Sequence, residues 1–471
     1  MSNVSKPKVA KESVPATVVA DSFCNLESPK KSRSKQLGIH SWHPNYASFS
    51  ENFVASSIDI LHVDKDDLIL DPWNGGGTTS IVSNRMAKHS IGIELNPIMI
   101  IYSNAKSAFN LDSLNVIKKF LASLSSEKWS ATRDKSDSLT DWISPSLNTA
   151  ARLTLSTITR LQTPNCSPSS RIRRALTSYQ AYAHPLKSLL TAALFRTVRK
   201  LGNLSPSSNP TWIKANKNGR RPRVTKTKFL EHYESTLLDM LDDLQEYYTD
   251  PITHDIDKMK NICFQSDARE IPVRDNSIDA IICSPPYLTR LDYAMSVKPE
   301  LLLIQGETLL RKIRQQSMGT PMIVNKKIQP NNSWGETCLM LLHRVSQHHS
   351  HASKRYYLPN MLQYFHDVEK CLRETIRVLK PGKPGFVVVQ SSYYKDVEID
   401  LGKIYTQMIE NIGHEATIVR REPVRSHMAH LNSKSNSYQP KKVYYEDVVY
   451  IHKNPLERVY HESLTTRSGG Q

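Results

Sequence analysis

Apolar residues fall along this chain in two kinds of run. Short continuous runs occur at Leu68-Ile-Leu70, Ser90-Ile-Gly-Ile93, near Ile262, at Ile278 with Ala280 to Cys283, and at Phe386-Val-Val-Val389. Two more follow at Ala416-Thr-Ile-Val-Arg420 and Val443 to Ile451. Such runs read as strands covered on both faces. Between them lie longer stretches with apolar residues three and four apart, clearest at Phe229, Tyr233, Leu237, Met240, Leu241 and Leu244. This spacing gives a helix one apolar face. It predicts helices near 113–125, 146–162, 186–201, 226–248, 359–379 and 399–412. The helix over 359–379 has a clear stop, Lys380-Pro381-Gly382. Strands that alternate with helices predict an α/β fold.

Three strand ends carry candidate chemistry. After Asp71 comes Pro72-Trp73-Asn74-Gly75-Gly76-Gly77-Thr78-Thr79, then a helical stretch. The whole chain has 16 glycines, so three in a row mark a place where backbone must turn tightly or approach a ligand. A strand, a glycine turn and a helix start is the build of a dinucleotide-type cofactor loop, although Ser80 stands where a third fingerprint glycine would be. The next strand ends in Glu94, 19 residues after Gly75, close to the spacing at which an acid reaches ribose hydroxyls. Asp267 follows the strand near Ile262, as a turn residue or as a partner for a cofactor base. The Ile278–Cys283 strand stops at Ser284-Pro285-Pro286-Tyr287. Two prolines donate no N–H and stiffen the backbone. They leave an acceptor-rich lip beside an aromatic ring where ligands bind in open α/β sheets. The expected fold is Rossmann-like and doubly wound. Its sheet is mostly parallel with an antiparallel C-terminal strand, interrupted by a basic helical insertion.

Charge sharpens the picture. The 471 residues carry a net charge of +17, which favours a polyanionic partner. From Trp142 to Leu230 there is no Asp or Glu, and Lys or Arg occurs sixteen times. Arg220, Arg221, Arg223 and Lys226 lie in that stretch, and Arg290 lies just past the lip; phosphate contacts to nucleic acid are expected there. A solvated face is the bland alternative. The six cysteines are scattered and suggest neither a disulfide framework nor a zinc site. His40 and His43, three apart beside Pro44, read as packing in the core or at the cofactor edge rather than as metal ligands. No apolar run approaches the ~18 residues of a membrane span, so a cytoplasmic, soluble protein is expected.

The expected organisation is a disordered basic tail over 1–36, a cofactor-binding half over 37–110 and a basic helical insertion over 111–258. A catalytic half over 259–456 and a tail over 457–471 follow. The subsegment 311–335 reads as a mobile lid or a substrate-contacting loop, and Arg421 to Lys442 as a polar basic loop.

Asp71-Pro-Trp-Asn-Gly-Gly-Gly-Thr-Thr79, Ile91-Gly-Ile-Glu94 with Asn96-Pro97, and Ser284-Pro-Pro-Tyr287 together resemble the S-adenosylmethionine-dependent DNA amino-methyltransferases, which modify cytosine N4 or adenine N6. Trp73 and Gly76 stand where the family usually has Phe and Ser. The Ser form of the tetrapeptide is more often that of the cytosine-N4 enzymes. The resemblance implies S-adenosyl-L-methionine as cofactor, with Asp71, Pro72, Trp73, Gly75, Gly76, Gly77, Thr78, Thr79, Glu94 and Asp267 around it. It implies duplex DNA with a flipped base as substrate, no metal and no membrane, and a cognate restriction endonuclease as a candidate partner. Ser284 and the Pro285 carbonyl would accept the two amino N–H bonds, Pro286 would stiffen the lip, and Tyr287 would stack on the base. An RNA amino-methyltransferase, a nicotinamide oxidoreductase and a non-catalytic nucleic-acid-binding protein are the rival readings. The segment that reads the DNA sequence is expected in the basic insertion, with the 421–442 loop as a second contributor.

Overall fold

A computed structural model describes residues 23–30, 38–43, 49–107, 113–129, 136–163, 167–177, 184–206, 212–214, 221–248, 258–288, 291–324, 327–424 and 442–455. The expected strands form one seven-stranded sheet. They are β1 (Leu68–Asp71), β2 (His89–Glu94), β3 (Asn261–Gln265), β4 (Ala280–Cys283), β5 (Pro384–Gln390), β6 (Glu415–Pro423) and β7 (Tyr445–His452), in the spatial order β6-β7-β5-β4-β1-β2-β3. All neighbours among β3, β2, β1, β4 and β5 pair in parallel, whereas β7 runs antiparallel to both β5 and β6. This is the expected doubly wound sheet with its antiparallel C-terminal strand. Its central strands are buried along their whole length, which is why they read as continuous apolar runs.

Among the described residues eleven helices have eight or more residues, and six of them fall close to the predicted stretches. The eleven are α1 (Glu51–Ile60), α2 (Thr78–Arg85), α3 (Pro97–Ala105), α4 (Ser113–Ser126), α5 (Pro145–Arg160), α6 (Pro185–Leu201), α7 (Lys226–Tyr247), α8 (Lys298–Gln316), α9 (Glu336–Gln347), α10 (Leu358–Val378) and α11 (Leu401–Asn411). Capping residues set several starts: Asn96 accepts from Ile98 N with Pro97 at the first helical position, and Ser144 and Thr225 cap α5 and α7.

The insertion is not a separate body. Its buried residues, among them Leu147, Leu190, Phe195 and Tyr233, share one core with Ile98 and Tyr102 of α3 and with Leu301 to Ile313 of α8. Residues 23–30 also depart from the expected tail. Leu26 is buried, Phe23 packs on Phe386 and Tyr450, and Lys30 pairs with Glu422 at 2.8 Å on the sheet's β6 edge. The expected lid over 311–335 is part helix. Past that helix but within the same segment, fully buried Trp334 donates to Glu369 at 2.8 Å. The rest of the N-terminal tail, the 425–441 stretch and the C-terminal tail lie outside the described residues.

The stop of α10 has a partner far along the chain. Lys453, largely buried after β7, donates its ammonium to the carbonyls of Ile376 and Leu379 at 2.7 Å and of Arg377 at 3.2 Å, and to Asn276 at 2.7 Å. A cation at a helix C-terminus satisfies orphan carbonyls and the helix dipole together. Lys453→Met is expected to cost about 2 kcal/mol. The check is the midpoint of chemical unfolding at unchanged slope; an unshifted midpoint contradicts it.

Candidate functional site

The sheet order reverses between β1 and β4, and the site lies there. Ile69 pairs with Ala280 and Leu70 with Ile281, so the segments after Asp71 and after Cys283 leave the carboxyl edge side by side. This is the switch-point crevice of an open α/β sheet. One cleft is lined from both segments: Pro72, Trp73, Gly75 and Gly76 on one side, and Ser284, Pro285 and Pro286 on the other. Glu94, Leu95, Asn96 and Met99 close it from β2 and α3, Asp267 and Arg269 from beyond β3, and Tyr293 and Met318 from the α8 segment.

The glycine loop is held from behind. Asp71, 2% exposed, accepts Trp73 N–H at 3.0 Å and the Thr79 hydroxyl at 2.7 Å. Burial pushes its carboxyl up to about 7, partly countered by these two donors. Asn74 donates to Ser103 at 2.8 Å and accepts from Ser80 at 2.7 Å. Ser80 therefore replaces the missing fingerprint glycine with a hydrogen bond that fixes the same turn. Asn74 lies on Gly92 of β2, where an added Cβ would come within 2.4 Å of it. Gly77 caps α2 at φ +86°, and a Cβ there would meet Ser103 at 2.4 Å, so both space and backbone demand glycine. A Cβ on Gly76 would meet His43 at 2.3 Å. Buried Lys106 donates to the Gly76 carbonyl at 2.8 Å and lies 3.2 Å from His43. His43 thus packs under the loop, as the sequence implied.

Glu94 faces the cleft with a fixed orientation. Gly75 N–H donates to one oxygen at 2.9 Å and Asn96 N–H to the other at 2.8 Å. Burial raises its carboxyl above the ordinary 4.5, while these backbone donors oppose the rise. Asp267 is clamped by Arg269, whose guanidinium reaches it at 2.6 Å and also Asp367 at 3.0 Å.

The lip differs from the sequence expectation in one respect. Tyr287 is buried, and its hydroxyl sits 3.1 Å from Ser284 Oγ. Tyr287 does not line the cleft, whereas Tyr293 does, together with Trp73 from the glycine loop. Tyr364 donates to the Pro286 carbonyl at 2.9 Å and lies 3.3 Å from the Tyr405 hydroxyl, which stiffens the lip from below.

Nine sequence-selected residues come together on the wall: Pro72, Trp73, Gly75, Gly76, Glu94, Asp267, Ser284, Pro285 and Pro286. Asp71, Gly77, Thr78, Thr79 and Tyr287 brace that wall. Arg221 and Arg223 are exposed on the insertion; Lys226 donates to the carbonyls of Ser125 at 2.5 Å and Glu127 at 2.8 Å, at the end of α4. Arg220 and Arg290 lie outside the described residues. Asn74, Lys106 and Tyr293 were missed. Asn74 sat within the glycine motif as a signal; Lys106 and Tyr293 had none until chain folding brought them in. Among the described residues, no cluster of His, Cys, Asp and Glu could hold a metal, and no helix is long and apolar enough to cross a membrane.

Because Asp71 binds its proton more tightly folded than unfolded, stability falls as pH rises from 3.8 toward about 7. Asp71→Asn keeps an acceptor for Trp73 N–H and should flatten that slope. Thermal unfolding across pH 4–8 is the check, and an equal slope in both proteins contradicts it.

Residues 6–104 match the family model described as DNA methylase, of the N6/N4 type. The type II methyltransferase M.BsoBI of Geobacillus stearothermophilus is 23% identical over 322 residues, 63% of this chain and 58% of that protein. M.MvaI of Kocuria varians is 25% identical over 279 residues, 53% of this chain and 56% of that one. M.AvaI of Nostoc sp. is 30% identical over 147 residues, 29% and 30% of the two chains. The chain thus spans about half, or less, of the length of these relatives. Over these matched segments the chain is similar to DNA methylases of the N6/N4 type and to type II methyltransferases, in line with the family its motifs resemble.

Proposed function

We propose that this protein transfers a methyl group from S-adenosyl-L-methionine to the exocyclic amino group of a flipped base in DNA, cytosine N4 in preference to adenine N6. The observation that carries the reading is the single cleft shared by the glycine loop, Glu94 and the Ser284-Pro285-Pro286 lip. The type II relatives support a site-specific enzyme of a restriction system, with a cognate endonuclease as partner.

The residues present fit the cofactor. Each Glu94 oxygen accepts one backbone N–H and keeps a second acceptor position for a ribose hydroxyl. Trp73, Leu95 and Met99 offer an apolar wall to a planar ring, and Asp267 offers a carboxylate to an amine on it. When bound, the cofactor supplies an electrophilic sulfonium methyl, so the hard chemistry is its own.

The chain's part is placement and acceptor geometry. A duplex base must leave the stack, at a cost of a few kcal/mol, to reach the cleft. Its amino lone pair is delocalised into the ring. Ser284 Oγ and the Pro285 carbonyl, accepting the two N–H bonds, draw the nitrogen toward tetrahedral geometry and localise that pair. The Tyr287 hydroxyl at 3.1 Å fixes the Ser284 hydroxyl, and Tyr293 supplies the ring against which the base stacks. The preference for cytosine N4 rests on the Ser form of the tetrapeptide.

Ser284→Ala is expected to lose at least about 100-fold in kcat while binding S-adenosyl-L-methionine as tightly as the parent. Labelled methyl transfer to duplex DNA checks it, with rRNA and tRNA as parallel substrates. Unchanged transfer refutes the clamp, and transfer to RNA alone refutes the substrate.

Cofactor affinity should fall as pH drops through the raised pKa of Glu94, because only the carboxylate accepts at both oxygens. Glu94→Gln should bind about tenfold more weakly, with that pH dependence gone. Calorimetric titration between pH 5 and 8 is the check, and parallel curves for the two proteins contradict it.

A further inference from the structure

The acid-free insertion was the expected DNA contact, yet many of its cations are engaged inside the protein. Arg152 reaches Leu303 O at 2.5 Å and Asp137 at 2.9 Å. Arg171 pairs with Asp279 at 2.5 Å, and Arg199 with Glu300 and Ser296 O. Lys187 donates to Thr159 O at 2.9 Å. These side chains fasten the insertion to itself, to the sheet and to α8.

A second stretch without Asp or Glu runs from residue 337 to 366 and contains Arg344, Lys354 and Arg355. Lys354 and Arg355 are exposed on the turn Ser353–Tyr357 that leads into α10. Two routes join this turn to the cleft. Met318 lines the cleft, and two residues past Gly319 the Pro321 carbonyl accepts from the Tyr356 hydroxyl at 2.8 Å. On the other side Ser392 donates to Leu288 O, directly after the lip, at 3.3 Å. Ser392 begins a hairpin, Ser392–Tyr394 paired with Val397–Ile399. Tyr394 on that hairpin packs on Tyr357 with ring centroids 4.5 Å apart, and bonds Ser353. The hairpin tip is Lys395-Asp396, and Lys395 has φ +56°. A two-residue turn of this kind favours Asn or Gly, so a lysine there is held at a conformational cost. Its ammonium lies over the Tyr394 ring at 5.5 Å. The acids of the patch are Asp396, paired with His348 at 3.0 Å, and Glu398.

We propose that Lys354, Arg355 and Lys395, set on the Tyr357–Tyr394 platform, contact the phosphate backbone of duplex DNA beside the flipped base. The patch carries three cations against two acids, and it is tied to the lip by the Ser392–Leu288 bond and to the cleft by the Tyr356–Pro321 bond. Phosphates next to an extruded nucleotide must pass the rim of the cleft. The inference rests on the reading of duplex DNA as substrate.

The test is the salt dependence of full-length protein binding to a fluorescent random-sequence 30-base-pair duplex. For K354E/R355E/K395E the slope of log K against log salt should fall by about 2 to 3 units, and affinity by at least about tenfold. Thermal midpoint and cofactor affinity should match the parent. Should the reversals unfold the chain, K354Q/R355Q/K395Q gives a smaller change of the same sign. R221E/R223E on the insertion should cost less. A parental slope and affinity in the triple variant overturn the inference, whatever R221E/R223E does. Methyl transfer to plasmid DNA by the parent, run in parallel, separates the two failures. With transfer present, only the surface assignment falls; with no binding and no transfer, the DNA reading falls and takes the surface with it.

Discussion

The pairing of β1 with β4 is the constraint on which the site depends. Leu70 lies opposite Ile281, so a glycine loop read at residue 75 and a proline lip read at residue 284 open into one crevice. Neither segment is a site alone. The loop lacks acceptors for an amino group, and the lip lacks a cradle for a second ligand. Burial on both faces of the two strands fixes their register, because these central strands have no solvent face to slip toward. The Thr79 hydroxyl, 2.7 Å from Asp71 and 3.3 Å from Ile282 O, ties the two strand ends together.

Behind the crevice the chain repeats one device. Buried polar groups hold backbone where no sheet or helix does: Lys106 under Gly76, Tyr364 on Pro286, and Lys453 across the end of α10. Each satisfies a group that would be costly to bury alone. The pattern accounts for a wall built largely of loop segments that still has defined geometry. It also places Asp71 and Tyr287 as braces.

Much of this was legible in the sequence because periodicity and strand ends are local signals. The seven strands, the helices over 113–126 and 226–247 and the glycine loop needed no tertiary information. What escaped depended on where the chain folds back. Tyr287 and Tyr293 are six residues apart, and only packing decides which ring faces the cleft. The charge of residues 142–230 was real, but its use was not readable. A guanidinium facing Glu300 and one facing a phosphate have the same sequence signature. Residues 23–30 were sorted with a polar tail because Phe23 and Leu26 are too few to give a period, yet they close over Phe386 and Tyr450.

On the proposed reading, the fold brings a methyl donor and a base amino group together and lets two oxygen acceptors do the rest. The base held by those acceptors is the central claim. Plasmid DNA incubated with the protein and S-adenosyl-L-methionine, digested to nucleosides and analysed by mass spectrometry, tests it directly. The account predicts N4-methylcytosine; N6-methyladenine, or no methylated nucleoside in the DNA, would contradict it.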